Sequence, residues 1–265
     1  MKLCVAAWVA GLLCAIMGFS AVAEEARIFK TLRLEGNGVR WKAPGGGEPR
    51  TVSYGIATGD IEFQGARNCG RMTALGPLLQ ASNVSAQTVH EEVAAAFAMW
   101  QDVANIRFRE AIAPEQPDIL IGAQSEPEGW AFANVFYDVL SPEPIKPISR
   151  ALICLNPERR WKVGFDGNLR AYDLRYTIAH EVGHAIGLDH PNSGGQIMGY
   201  RYEETFRGLQ TGDIAGAVLL YGKSQPQGVA AASQPPTAGP AEAIAPSPLP
   251  NITRGGSRAA PQPGK

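Results

Sequence analysis

The chain has 265 residues, 45% of them hydrophobic and 18% charged, with a formal net charge of −1. That balance leaves no basic footprint for nucleic acid, so no nucleic-acid partner is expected, and it excludes a protein built around a charged tail. Gly and Pro together supply 50 residues, more than one compact domain needs, and the excess is uneven along the chain. Only four histidines occur, and His180, His184 and His190 fall within eleven residues.

Lys2, the apolar run Leu3 to Phe19 and the small-residue site Ala21-Val22-Ala23 have the pattern of a secretory signal over residues 1–23, cut before Glu24. The run is short for a bilayer span and no second one follows. The mature chain is therefore expected to be secreted, extracellular or periplasmic, with no membrane span. Cys4 and Cys14 leave with the signal. Cys69 and Cys154 remain, and in an oxidising compartment the pair reads as a disulfide, two buried thiols being the alternative.

Residues 24–49 read as an N-terminal segment, and residues 50–222 as one domain large enough for a single core. Thr51 to Ala57 is a predicted strand. Ser85 to Val103 carries Val89, Val93, Ala96, Phe97, Trp100 and Val103 at helical spacing. His90 lies on this helix and receives no role. Ile106 to Arg109, Asp118 to Gly122, Ala131 to Tyr137 and Ala151 to Leu155 are further predicted strands, the second suited to a buried position. Asp173 can cap a helix running to Leu188, with Gly187 as its stop, and a last helix covers Thr211 to Leu220. Lys223 to Lys265 holds nine of the twenty prolines and no aromatic, the composition of a disordered tail. Asn251-Ile252-Thr253 within it fits a glycosylation acceptor by pattern alone.

The chemistry is concentrated in His180-Glu181-Val182-Gly183-His184. Two imidazoles four residues apart on a helix project from one face, one turn apart, as two ligands of a tetrahedral zinc would. Gly187 lets the chain turn sharply away, and His190 can return as a third ligand, leaving the fourth position open for water. Glu181 need not bind the metal and is placed to act as general base on that water, then to hand the proton to the departing amine.

The run HEVGHAIGLDH resembles the metzincin zinc peptidases, and its GLDH ending is most similar to the matrixins, the matrix metalloproteinase family. Ile197-Met198-Gly199-Tyr200 resembles the family's Met-turn, which implies that Met198 forms an apolar floor beneath the metal. AFAMWQDVANIRF resembles the first helix and following strand, DILIG the next strand, and Ala131 to Phe136, with Ala131 and Ala133, the edge strand against which substrate lies. Asp213 matches the buried aspartate supporting the Met-turn, and Tyr202 the aromatic walling the S1′ pocket. The resemblance implies an α+β zincin/metzincin-like catalytic domain, with a twisted, mostly parallel five-stranded sheet and three helices.

Departures from the family narrow the expectation. Its second, structural zinc needs three histidines and an aspartate, but Asn134 and Cys154 stand in that region, so one catalytic zinc is expected. Asn156, Pro157 and Arg159 stand where acidic calcium ligands would precede Trp161, so calcium is not expected. A Cys69–Cys154 bond could stiffen what those metals would hold. Asn68-Cys69-Gly70 is similar to the family's cysteine switch, but follows the first strand instead of preceding the domain. Neither a typical prodomain nor a haemopexin-like domain is expected. The sequence thus points to a monomeric zinc endopeptidase with a protein or peptide substrate. Two alternatives stay open: a zinc-bearing peptide-recognition module without turnover, and a zinc amidase acting on cell-wall material.

Overall fold

The computed structural model describes residues 28–225. The expected signal sequence, the glycosylation acceptor and the tail from residue 226 onward lie outside the described residues. In chain order come β1 (Lys30–Thr31), β2 (Arg33–Leu34), β3 (Asn37–Arg40), β4 (Arg50–Ile56), β5 (Ile61–Glu62), β6 (Arg71–Thr73), α1 (Gly76–Ser82) and α2 (Ala86–Val103). They are followed by β7 (Ile106–Glu110), β8 (Ile119–Gln124), β9 (Ala131–Tyr137), β10 (Ile145–Leu155), β11 (Arg160–Lys162) and β12 (Ala171–Asp173). The chain closes with α3 (Leu174–Ala185), β13 (Leu188–Asp189) and α4 (Thr211–Tyr221).

The centre is a sheet in which β7, β4, β8 and β10 run parallel and β9 lies antiparallel on the outer side of β10. These are the five strands expected from the sequence. The sheet is larger than that expectation, because β2, β3, β5 and β6 extend it to nine strands among the described residues. Alternation along β8 and β10 explains why both strands read as continuous apolar runs. Ile119, Ile121, Ile153 and Leu155 face a large core under the helices. Leu120, Leu152 and Cys154 face a smaller cluster with Ala57, Cys69 and Met72 on the opposite side.

Helix α2 starts where expected because Ser85 Oγ accepts from Thr88 N at 3.0 Å. Its stripe of Val89, Val93, Ala96, Phe97 and Trp100 is buried, and the Trp100 indole N–H donates to Ala179 O at 2.9 Å, joining α2 to α3. Asp173 caps α3 by accepting from Tyr176 N at 2.8 Å. This helix ends at Ala185, three residues short of the expected Leu188, and the chain turns through Gly187 at φ +103°. A Cβ there would lie 2.3 Å from Val39 O, so glycine is required by both backbone angle and the approach of β3.

Other parts of the fold also differ from the sequence reading, and β10 begins at Ile145, six residues before the expected Ala151. Four helices are present instead of three, because Gly76-Pro77-Leu78-Leu79 begins a seven-residue helix with proline in its first turn. The fold reaches upstream of Arg50: β1 pairs with β13 and β3 pairs with β10, so strand pairing begins at Lys30. At the other end Ser224 N donates to Val103 O and Ser224 Oγ to Asp102 O, so residues 223–225 belong to the packed unit and not to a tail.

Candidate metal centre

His180 and His184 project from one side of α3 and His190 follows β13. Their Nε2 atoms lie 2.9 Å (His180–His190), 3.2 Å (His180–His184) and 3.2 Å (His184–His190) apart. A tetrahedral site with zinc–nitrogen bonds of about 2.0–2.1 Å separates its nitrogens by about 3.3 Å, so the spacing fits a zinc ion. The protonation pattern fits as well. His180 Nδ1 donates to Ile197 O at 2.7 Å and His184 Nδ1 to Leu188 O at 2.9 Å. A neutral ring with its proton on Nδ1 carries a lone pair on Nε2, and converging lone pairs repel unless a cation lies between them. Burial holds the rings neutral. It pushes His180 well below the usual imidazole range, with help from neighbouring His184, and lowers His184 to about 4. His190 is lowered by burial too. Among the described residues this triad is the one cluster of three or more side chains able to hold a metal ion.

A chain of contacts fixes the triad from beneath. Asp213, at the start of α4, accepts from Ile197 N and Met198 N at 2.9 Å each and from Gln210 N at 2.8 Å. Ile197, so held, presents the carbonyl that orients His180. Met198 is buried below α3, and a Cβ on Gly183 would stand 2.1 Å from Met198 Sδ and 2.9 Å from Trp100 Cζ2. The glycine inside the histidine motif is therefore the space that Met198 and Trp100 occupy.

Glu181 is 5% exposed and lines the same cleft as the three histidines, a cavity of about 880 Å³. Burial pushes its carboxyl up to about 8. One wall of the cleft is β9, which among the described residues pairs along only one edge, to β10. Ala131, Ala133, Asn134 and Val135 all line the cleft.

Comparison with known proteins identifies the architecture. The family model for Matrixin matches residues 78–222, more than half of the chain. The chain belongs to the matrixin family. It is 26% identical to karilysin of Tannerella forsythia over 184 residues, 65% of this chain and 37% of that protein. It is 31% identical to human matrix metalloproteinase-23 over 158 residues, 52% and 38% of the two chains. Mouse matrix metalloproteinase-19 is 30% identical over 151 residues, 55% and 27%. The chain thus spans between about a quarter and two fifths of the length of these relatives.

Within this matrixin, Tyr202 lies at the cleft in an aromatic stack that the sequence did not disclose. Its ring stacks on Tyr172 with centroids 4.0 Å apart, and Tyr172 stacks on Trp130 at 3.6 Å. Tyr202 Oη accepts from Asp173 N at 2.9 Å and donates to Glu204 Oε1 at 2.8 Å. The segment carrying Tyr202 is anchored by Arg207, which donates to Asp173 and to buried Glu92, while Arg175 also donates to Glu92 through two nitrogens. Glu92 interrupts an otherwise apolar helix stripe, and that interruption was the available signal for a buried ion network.

The residues standing where the family's other ligands would fall have different occupations. Cys69 and Cys154 are joined in a disulfide, S–S 2.01 Å, that closes 85 residues of chain. Asn134 Oδ1 accepts from Asn68 N at 3.1 Å and Cys69 N at 2.8 Å, fastening the Phe63–Gly70 loop to β9. Gly65 and Arg67 of that loop line the cleft rim, a placement that the sequence did not reveal. Asn156 donates to Gly129 O and accepts from Glu158 N, bracing the turn before Trp161. No described helix is long and apolar enough to cross a membrane.

Proposed function

We propose that the chain is a secreted zinc-dependent endopeptidase. The reading rests on one observation above all: three imidazole nitrogens converge within 3.2 Å of one another in a cleft walled by an open-edged strand. A peptide substrate adds to β9 as an antiparallel strand, so that its backbone runs past the metal centre. His180, His184 and His190 hold the zinc, and when bound it supplies a lowered water pKa and polarisation of the peptide carbonyl.

Glu181 takes the proton from the attacking water and delivers it to the amine as the carbon–nitrogen bond breaks. Glu181 shares the cleft with all three ligands, a position from which one carboxylate can serve both acts. Asp213 and Met198 position the ligands and touch no reacting atom. Tyr202, Tyr172 and Trp130 wall an apolar pocket beside the metal for a substrate side chain. Gly187 allows the turn that brings His190 back.

The test is cleavage of an unfolded protein substrate by the purified chain. Activity should disappear on treatment with a chelator and return with about one equivalent of zinc per chain. Cleavage that survives complete metal removal would refute the reading.

A further inference from the structure

Tyr200 occupies a position that packing does not explain. Its ring is 82% exposed, although an aromatic ring is stabilised by burial. Its backbone is held firmly from both sides of the preceding turn: Met198 N donates to Asp213, and Gly199 N donates to Gln196 O at 2.9 Å. The ring meets His190 edge to face, with centroids 5.2 Å apart and planes at 85°, and lines the cleft with the triad and Glu181. Three other tyrosines line this cleft, and two of them are otherwise engaged. Tyr172 is sandwiched between Trp130 and Tyr202, and Tyr202 has its hydroxyl bonded on both sides; the third, Tyr176, has an unpartnered hydroxyl, but its ring is buried in the core and Tyr200 alone stands exposed against His190. Among the described residues no hydrogen bond engages the Tyr200 hydroxyl.

An anchored backbone carrying a free phenol beside the metal centre is suited to donating a hydrogen bond into the reaction. We propose that Tyr200 is a catalytic residue whose O–H donates to the scissile carbonyl oxygen as that oxygen takes on negative charge. The assignment rests on the peptidase reading above. In the addition step the water oxygen bonds to the carbonyl carbon while its proton passes to Glu181. The carbon–nitrogen bond then breaks, and the proton goes to the departing amine. Tyr200 keeps its own proton throughout. Peptide lying along β9 covers the ring and excludes water from it, which strengthens a hydrogen bond to a developing charge.

The test compares wild type with Tyr200→Phe on a fluorogenic peptide that wild type cleaves, and on a phosphinic peptide of the same sequence whose tetrahedral oxygens mimic the addition state. The exposed ring makes the variant structurally mild, so melting temperature and zinc content should match wild type. Loss of one such donor should lower kcat on the order of 10²-fold with KM little changed. Affinity for the phosphinic peptide should fall by a similar factor while affinity for the cleaved product peptides stays the same. A kcat within about threefold of wild type would overturn the assignment and leave the peptidase reading standing. So would an equal loss of affinity for product peptides or for zinc, which would mean that Tyr200 only shapes the cleft or steadies His190. A wild-type chain that cleaves no peptide would overturn the peptidase reading and this assignment together.

Discussion

Gly183 shows how much a single position in the motif has to satisfy. Nothing in the spacing of His180 and His184 demands glycine between them, yet the space beside it is filled by Met198 Sδ and Trp100. Gly183→Ala is expected to destabilise the chain by about 1–3 kcal/mol through overpacking. The check is the melting temperature, with Gly183→Ala costing less in a chain that already carries Met198→Ala than in wild type. An unchanged melting temperature would show that the neighbours give way freely. Asp213 acts further out, through the Ile197 carbonyl that orients His180. Asp213→Ala should weaken zinc binding by roughly 10–100-fold, measured by competition with a chromophoric chelator, because the group that fixes a ligand's orientation is lost. The ligands themselves were legible because their spacing is local: two lie on one helical turn, and the third follows a glycine turn. Trp130, Tyr172 and Tyr202 come from three separate segments, and nothing along the chain announces that their rings will stack.

At the level of elements, the long periodic segments were legible and the short ones were not. Helix α2 and strand β9 fall where their patterns put them, since eighteen residues at helical spacing or seven at a strand edge carry a repeated signal. Strands β1 and β2 have two residues each, too few for any period: β1 forms against β13, Leu32 N donates to Gly187 O, and β2 pairs with β3. Helix α1 hides behind a proline that reads as a breaker until it is seen in the first turn. Tyr221 at the end of α4 joins these upstream strands to the metal-binding turn. Its hydroxyl donates to Ile186 O at 2.6 Å and accepts from Trp41 N at 3.1 Å. Burial raises its pKa above the ordinary phenol value. The folded state therefore favours the neutral phenol, and the unfolded chain loses its proton first as pH rises past about 10. The contribution of this group to stability is fully present at neutral pH and should fall progressively above pH 10. Urea unfolding at pH 8 and pH 10.5 checks this, and Tyr221→Phe should show a smaller drop between the two. Equal drops in the two proteins would contradict it.

Across the whole molecule, one side of the sheet carries the helices and the metal triad, and the other carries the disulfide cluster. The face assignment follows from alternation in β8 and β10, but the partner of each face does not, because it depends on connections made far away in sequence. Cys69 and Cys154 were legible by count, as the pair left once the expected signal is removed, and the disulfide is present with the Phe63–Gly70 loop fastened to β9. That arrangement steadies the cleft rim with a covalent link and the Asn134 carboxamide. Function converges on the cleft that these parts enclose, and the role of Glu181 in it is the central claim. The most direct measurement is the kcat of Glu181→Gln beside wild type on one fluorogenic peptide, with both proteins holding about one zinc per chain. Loss of the carboxylate should lower kcat by about 10²–10⁴-fold while the metal stays bound. Equal rates at equal zinc content would contradict the account.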